Sequence, residues 1–361
     1  MSKYVDEYRD VDTCLDLSSR IKEVSTRPLT IMEVCGGHTM AIRKNGIQKL
    51  VGDNIRLLSG PGCPVCVTSI SDIDRVVCLA GEENVTVCTF GDMLYVPGSS
   101  MSLAGAKAEG ADVRTVYSVH DALEFARSEP EKNFVFVSIG FETTTPTAAA
   151  AVLEAKATGV KNFTVLALNK TMPQALRAVL ESDDSEIDAL IGPGHVSTIT
   201  GTGMYRFIVD ELGVSCCVSG FEPVDLLGAI LKLTEMHENN EKGLVNAYPR
   251  VVKEEGNEKA KYIMTEVFEP ADVEWRGFGV VPSSGSKISE EYSEFDAEKI
   301  YKIEVPETKE NPACICGDIL RGVKRPVDCA LFNEGCTPVD PQGACMVSSE
   351  GTCAAWFKYG E

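Results

Sequence analysis

From about residue 30 to 235, short runs of apolar and β-branched residues alternate with stretches of helical periodicity. The runs Thr30–Val34, Ile55–Leu58, Val85–Phe90, Val113–Tyr117, Phe134–Ile139, Phe163–Leu168, Ile187–Ile191 and Val214–Val218 read as strands. Between them Asp72–Ala80, His120–Ser128, Thr147–Ala157, Pro173–Glu181 and Val224–Asn239 read as helices. This alternation predicts βαβ units and mostly parallel sheets. The length of the region and the break at Pro130–Asn133 favour two similar α/β domains, 31–130 and 131–238, over one eight-stranded sheet. Residues 240–310 are acidic, with a helix expected near Asn257–Val267 and a loop at PSSGS, and read as a connector or cover. No solenoid period and no low-complexity segment is evident.

Composition narrows the picture. A chain of 361 residues exceeds the usual single core, and an apolar share of 44% beside 24% charged residues is ordinary for a globular protein. The formal charge of −20 excludes nucleic-acid backbone and anionic membrane as expected partners, because no basic patch offsets it. The start, MSKYVDEYRD, has neither a basic nor an apolar leader region, and no segment approaches the roughly 18 apolar residues of a membrane span. A cytoplasmic location is therefore expected. In such a compartment 14 cysteines point to metal binding or thiol chemistry rather than to a disulfide framework. Six of them fall between Cys314 and Cys353.

Four glycine-rich motifs each follow a strand: CGGHT after IMEV, SGPGCPVC after IRLL, GFETTTP after FVSI, and GPGHVS after DALI. Loops at the carboxyl ends of parallel strands converge on one crevice, so these four are expected to line a cleft between the domains. They carry Cys35, His38, Cys63, Cys66, Glu142, Thr143 and His195, whereas His120 and His237 sit in helical stretches. Each loop also has a plainer role, since βα turns use glycine for tight packing, and Glu142 with the threonines would cap the Ala-rich helix behind them. Thiols, imidazoles, one carboxylate and hydroxyls suit metal handling better than nucleotide binding, for which the glycine fingerprints are absent. The C-x-x-C pair fits a zinc clamp, a redox dithiol or half of another metal site equally by spacing. Cys14, Cys78, Cys88, Cys216 and Cys217 lie in apolar runs and read as buried small residues.

The last 50 residues are too rich in Cys, Gly and Pro to form a core by apolar burial alone, so a metal centre is the expected staple. The tail lacks the two close C-x-x-C knuckles of a zinc ribbon, and spread thiolates suit an iron-sulfur cluster better. Spacing leaves open which four of Cys314, Cys316, Cys329, Cys336, Cys345 and Cys353 ligate.

Taken together, CGGHT, GPGCPVC, GFETT, PGHVS and the tail pattern C-x14-C-x6-C-x16-C, with GACMVSSEG before its last cysteine, resemble the HypD family of hydrogenase maturation factors. The match runs in order from Cys35 to Cys353. The resemblance implies a cytoplasmic scaffold on which the Fe(CN)2CO unit of nickel-iron hydrogenase is assembled, working with the small chaperone HypC and the cyanide donor HypE, and not necessarily an enzyme with turnover. It implies that Cys35 is the iron thiolate, that Cys63 and Cys66 are a redox-active pair beside it, and that Cys314, Cys329, Cys336 and Cys353 hold a 4Fe-4S cluster. Cys316 and Cys345 are then supporting or relay thiols. The implied fold is two related α/β domains plus a smaller iron-sulfur domain built from residues 1–30 and 239–361. His38, His195 and the threonine hydroxyls are the expected donors to cyanide nitrogens, with Glu142 nearby. The rival reading is an iron-sulfur thiol-disulfide oxidoreductase of the ferredoxin:thioredoxin reductase type, and a third is a zinc-stabilised adaptor.

Overall fold

The computed structural model describes residues 6–360. It holds two all-parallel sheets and one antiparallel ribbon. The strands are β1 (Leu29–Glu33), β2 (Ile55–Ser59), β3 (Val85–Thr89), β4 (Asp112–Thr115), β5 (Asn133–Ser138), β6 (Phe163–Ala167), β7 (Ala189–Gly192), β8 (Ser215–Val218), β9 (Leu244–Asn246), β10 (Phe268–Trp275) and β11 (Gly279–Ile288). The eight strands read from the apolar runs are all present, with ends shifted by a few residues. Their interiors are buried because parallel sheets are covered by helices on both faces.

The first sheet has the order β2-β1-β7-β8-β9 and the second β4-β3-β5-β6. The architecture is the expected pair of α/β units, but sheet membership is not consecutive. The chain starts the first sheet, builds all of the second, and returns to finish the first. A boundary at residue 130 falls inside the second sheet, between β4 and β5. The helix Val11–Val24, capped by Asp10 accepting from the Thr13 N–H, packs along Pro223–Glu238. Its Cys14 and Ile21 join the core of the first sheet with Ile31, Ile42 and Leu226.

The expected helix at Asn257–Val267 is present as Glu258–Val267, but the connector is more than a cover. β10 and β11 form a long ribbon, and PSSGS lies inside β11 rather than in a loop. Gly285 there faces Val273 so closely that a methyl group would overlap it, and a register shift lies opposite between Ala271 and Val273. The base of the ribbon, Phe268 and Ile288, packs into the core of the second sheet. Its tip, Trp275, is buried with Met32, Cys63 and Phe141, and Arg276 N–H donates to the Val67 carbonyl. The ribbon thus ties the second unit to the loops at the end of the first.

In each sheet the chain order reverses at one place. Strands are added to one side of β1 and to the other side of β7, and likewise outward from β3 and β5. Loops leaving the carboxyl ends of these strands diverge and leave a crevice.

Candidate functional site

The turn after β1 positions Cys35 as the residue before the helix Gly36–Lys44. Its sulfur caps no helix N–H, but the nearby Gly37 and His38 N–H groups favour the thiolate. Burial outweighs them, and with the Glu350 carboxylate it pushes the Cys35 thiol up to about 12. Without metal, Cys35 is therefore a thiol.

The turn after β2 locks onto the first. Gly60 N–H donates to the Glu33 carbonyl at 2.8 Å and Gly36 N–H to the Gly62 carbonyl at 3.0 Å, so the β1–β2 pairing is extended beyond both strands. A methyl at Gly62 would overlap the backbone of Cys35. Cys63 then precedes the short helix Pro64–Val67, with proline at a position that needs no N–H donor. Cys63 and Cys66 form a disulfide and are both buried.

A cavity of about 390 Å³ opens over these turns. Residues of all four motifs line it, including Cys35, Gly62, Thr143 and His195, joined by Phe90 and Met93 beyond β3 and by Glu350 from the tail. Both reversal points of the fold contribute, β1/β7 from the first sheet and β3/β5 from the second. Cys63 and Cys66 lie one layer beneath the wall formed by Gly62, Pro64 and Val65, in the core with Val34 and Phe141.

Two candidates are placed away from the wall. His38 is fully buried, and its Nε2 donates to the carbonyls of Gly220 at 3.0 Å and Ser219 at 3.3 Å. A carbonyl only accepts, so the ring N–H is committed there and Nδ1, which has no partner among the described residues, is the bare acceptor. Burial lowers its pKa to about 4, which keeps this neutral tautomer at physiological pH. His38 instead braces Phe221, whose ring lies between His38 at 4.6 Å and His195 at 4.0 Å. Glu142 is also buried: Oε1 accepts from Met172 N–H at 3.0 Å, and Oε2 has no partner among the described residues. The neighbouring hydroxyls do not cap the helix Thr145–Thr158, since Thr144 and Thr145 both donate to the Phe141 carbonyl.

Burial raises the Glu142 carboxyl to about 7 from an ordinary value of 4.5. A carboxyl that holds its proton more tightly when folded costs nothing below pH 4.5 and progressively more as pH rises to about 7. Glu142→Gln keeps the acceptor to Met172 and removes the charge. It is expected to raise stability at pH 8 by about 1–3 kcal/mol and to flatten the fall between pH 4.5 and 7. Urea midpoints across that range check this, and an unchanged slope would refute it.

Two residues escape the motif reading, Phe221 stacked behind His195 and Glu350 on the wall. Phe221 follows β8, a further strand end of the first sheet, which is the signal that would have found it. Glu350 lies in GACMVSSEG, and its Cβ is only 2.5 Å from where a Gly36 side chain would start. The helix Thr352–Tyr359 continues from it onto Gly36–Lys44, where Arg43 stacks on Trp356 at 3.7 Å.

All six tail cysteines, Cys314, Cys316, Cys329, Cys336, Cys345 and Cys353, line one small hollow. The rest of its wall is apolar, from Ile319, Leu331, Phe332 and Met346, apart from Gly343, where a methyl would stand 2.6 Å from Cys314 Sγ. Cys316 and Cys345 are in contact, Sγ to Sγ 2.6 Å. Among the described residues no group of three or more His, Cys, Asp or Glu side chains is arranged to chelate a single ion. A cubane needs something different, four thiolates each reaching its own iron around a dry space, and this donor set in an apolar wall fits that requirement. The hollow lies directly behind the disulfide: Cys66 Sγ is 3.9 Å from the carbonyl of Ala344, the residue before Cys345. No helix among the described residues is long and apolar enough to cross a membrane.

The HypD family model, described as the hydrogenase formation hypA family, matches residues 12–360. The chain is 46% identical to the hydrogenase maturation factor HypD of Rhizobium leguminosarum bv. viciae, covering 99% of this chain and 96% of that protein. It is 44% identical to hydrogenase maturation factor HypD of Cupriavidus necator and 43% identical to that of Escherichia coli. Each alignment covers 99% of this chain, and 97% and 98% of those proteins.

Proposed function

Because the chain belongs to the HypD family of hydrogenase maturation factors, we propose that its 390 Å³ cavity is where the Fe(CN)2CO unit of nickel-iron hydrogenase is assembled on Cys35. The observation that carries this reading is the backbone-to-backbone contact of the turns bearing Cys35 and Cys63, which puts one thiol on the cavity wall and one disulfide in the layer beneath it. Ferrous iron entering the cavity is the substrate. It takes the place of the Cys35 proton, as metals do at thiols of high pKa, and the Glu350 carboxylate on the wall is the acceptor in position. A soft thiolate suits an electron-rich low-spin iron better than a carboxylate does.

The wall divides by chemistry. Thr143 and His195 offer donors to cyanide nitrogens, whereas Phe90, Met93, Ile139 and Phe141 make an apolar, water-excluding side suited to carbon monoxide. His38 has no N–H to give and serves instead to hold Phe221 and, through it, His195. Cys63 and Cys66 take up two electrons and two protons on opening to the dithiol, directly beneath the iron site. In the tail, Cys314, Cys329, Cys336 and Cys353 would hold a 4Fe-4S cluster, with Cys316 and Cys345 on the side facing Cys66. Such a cluster, when bound, supplies one-electron reduction. The proposal includes the small chaperone HypC and the cyanide donor HypE as partners and the cytoplasm as the place of work.

Infrared spectroscopy of the chain isolated anaerobically with its small chaperone tests the reading. Stretching bands of iron-bound cyanide and carbon monoxide are expected. Disulfide-reductase turnover without those bands would favour the oxidoreductase instead, and a colourless protein containing zinc would favour the adaptor.

A further inference from the structure

A second cavity, of about 340 Å³, lies beside the tail hollow and shares Cys314 and Cys316 with it. Its wall includes Ser99, Arg276, Lys309, Glu310 and Gln342, and it reaches Cys314 and Cys316. None of this serves the iron site. Arg276 is the unusual member, a guanidinium only 6% exposed. Its Nε donates to the Thr68 carbonyl at 3.0 Å, and Nη1 reaches Glu310 only at 3.5 Å. Glu310 is a poor counter-ion, since its side chain is mostly exposed to solvent, and Nη2 has no partner among the described residues. A buried guanidinium whose carboxylate partner is a solvent-exposed side chain at 3.5 Å is poorly compensated, and a carboxylate or oxyanion entering the cavity is the group whose geometry can replace that partner at Nη1.

The cavity is held in shape around that charge. Asp74 accepts from the Ser99 N–H at 2.7 Å, and the Lys309 N–H donates to Ser99 Oγ at 2.7 Å, so the extended segment carrying Lys309 and Glu310 is pinned across the opening. Arg276 and Lys309 outnumber the one carboxylate of the wall, Glu310, in a chain of charge −20. The geometry points to a binding site for a small free carboxylate or oxyanion, held by Arg276 and Lys309 against the outer side of the tail cysteines. A bound anion takes over the guanidinium from Glu310.

Titration calorimetry of the intact, cluster-loaded chain with sodium acetate and, separately, inorganic phosphate tests the site and distinguishes the two anion classes. Saturable one-to-one binding that weakens with ionic strength is expected for at least one of them. Lys309 and Glu310 are exposed, so their substitution does not threaten the fold. Lys309→Gln is expected to weaken binding about tenfold, as loss of one charge-assisted hydrogen bond does. Glu310→Gln, which removes the competing carboxylate, is expected to tighten it by about threefold or more. No saturable binding of either anion to wild type and Glu310→Gln, or binding that neither substitution changes, would overturn the proposal.

Discussion

Cys35→Ala is expected to abolish the infrared bands of iron-bound cyanide and carbon monoxide while leaving the visible absorbance of the tail cluster intact. The two sites are separate in the fold: Cys35 lines the large cavity, and the six tail cysteines line their own hollow behind the disulfide. Loss of an outer-shell partner commonly costs about 10–100-fold in metal affinity, so loss of the sole cysteine on the cavity wall is expected to cost more. Folding should barely notice, because one sulfur is exchanged for a hydrogen in a turn whose backbone bonds remain. Retained bands in the alanine variant would remove Cys35 from the iron site and with it the proposed function.

A second large effect is expected at a residue with no functional group at all. Gly62→Ala puts a methyl group into the backbone of Cys35, where neither atom is the end of a flexible side chain that can swing aside. Overpacking costs typically about 1–3 kcal/mol, and a clash between two backbones belongs at or above the top of that range. The strain is relieved by parting the two turns, so the variant should lose both stability and the bands, and do so together. Gly91→Ala is the control, since its nearest neighbour stands 3.7 Å away in ordinary contact. Denaturant midpoints and infrared spectra of both variants decide the matter. A Gly62→Ala protein as stable and as well loaded as the control would show that the contact is dispensable.

The strands were legible because short apolar, β-branched runs in the centre of a parallel sheet are buried on both faces, which leaves a local trace. Their neighbours were not. That β1 pairs with β7 across nearly half the chain is decided by packing between distant segments, and no residue within either strand encodes it. The ribbon was missed for a different reason: PSSGS has the composition of a turn, yet its glycine is needed for close approach to Val273 within a strand. At the site, motif reading located the turns but not the aim of their side chains. CGGHT and PGHVS each carry a histidine, and only His195 lines the cavity, because the carbonyls of Ser219 and Gly220 claim His38. Glu350 was out of reach, since nothing in the spacing of a cysteine-rich tail says that its final loop returns to the first helix of the first sheet.

The order in which the sheets are completed bears on synthesis. As the polypeptide leaves the ribosome, β1 and β2 appear first, but their central neighbour begins only at Ala189, after all four strands of the other sheet have emerged. Ile31, Met32, Leu57 and Leu58 therefore spend the middle of translation with one edge unpaired, while residues 85–167 already have their own partners. Unpaired edges and bare apolar faces are what aggregating nascent chains have in common. The cavity that spans both sheets can exist only once that early pair has been recovered by the late strands, so the site is among the last parts of the molecule to form.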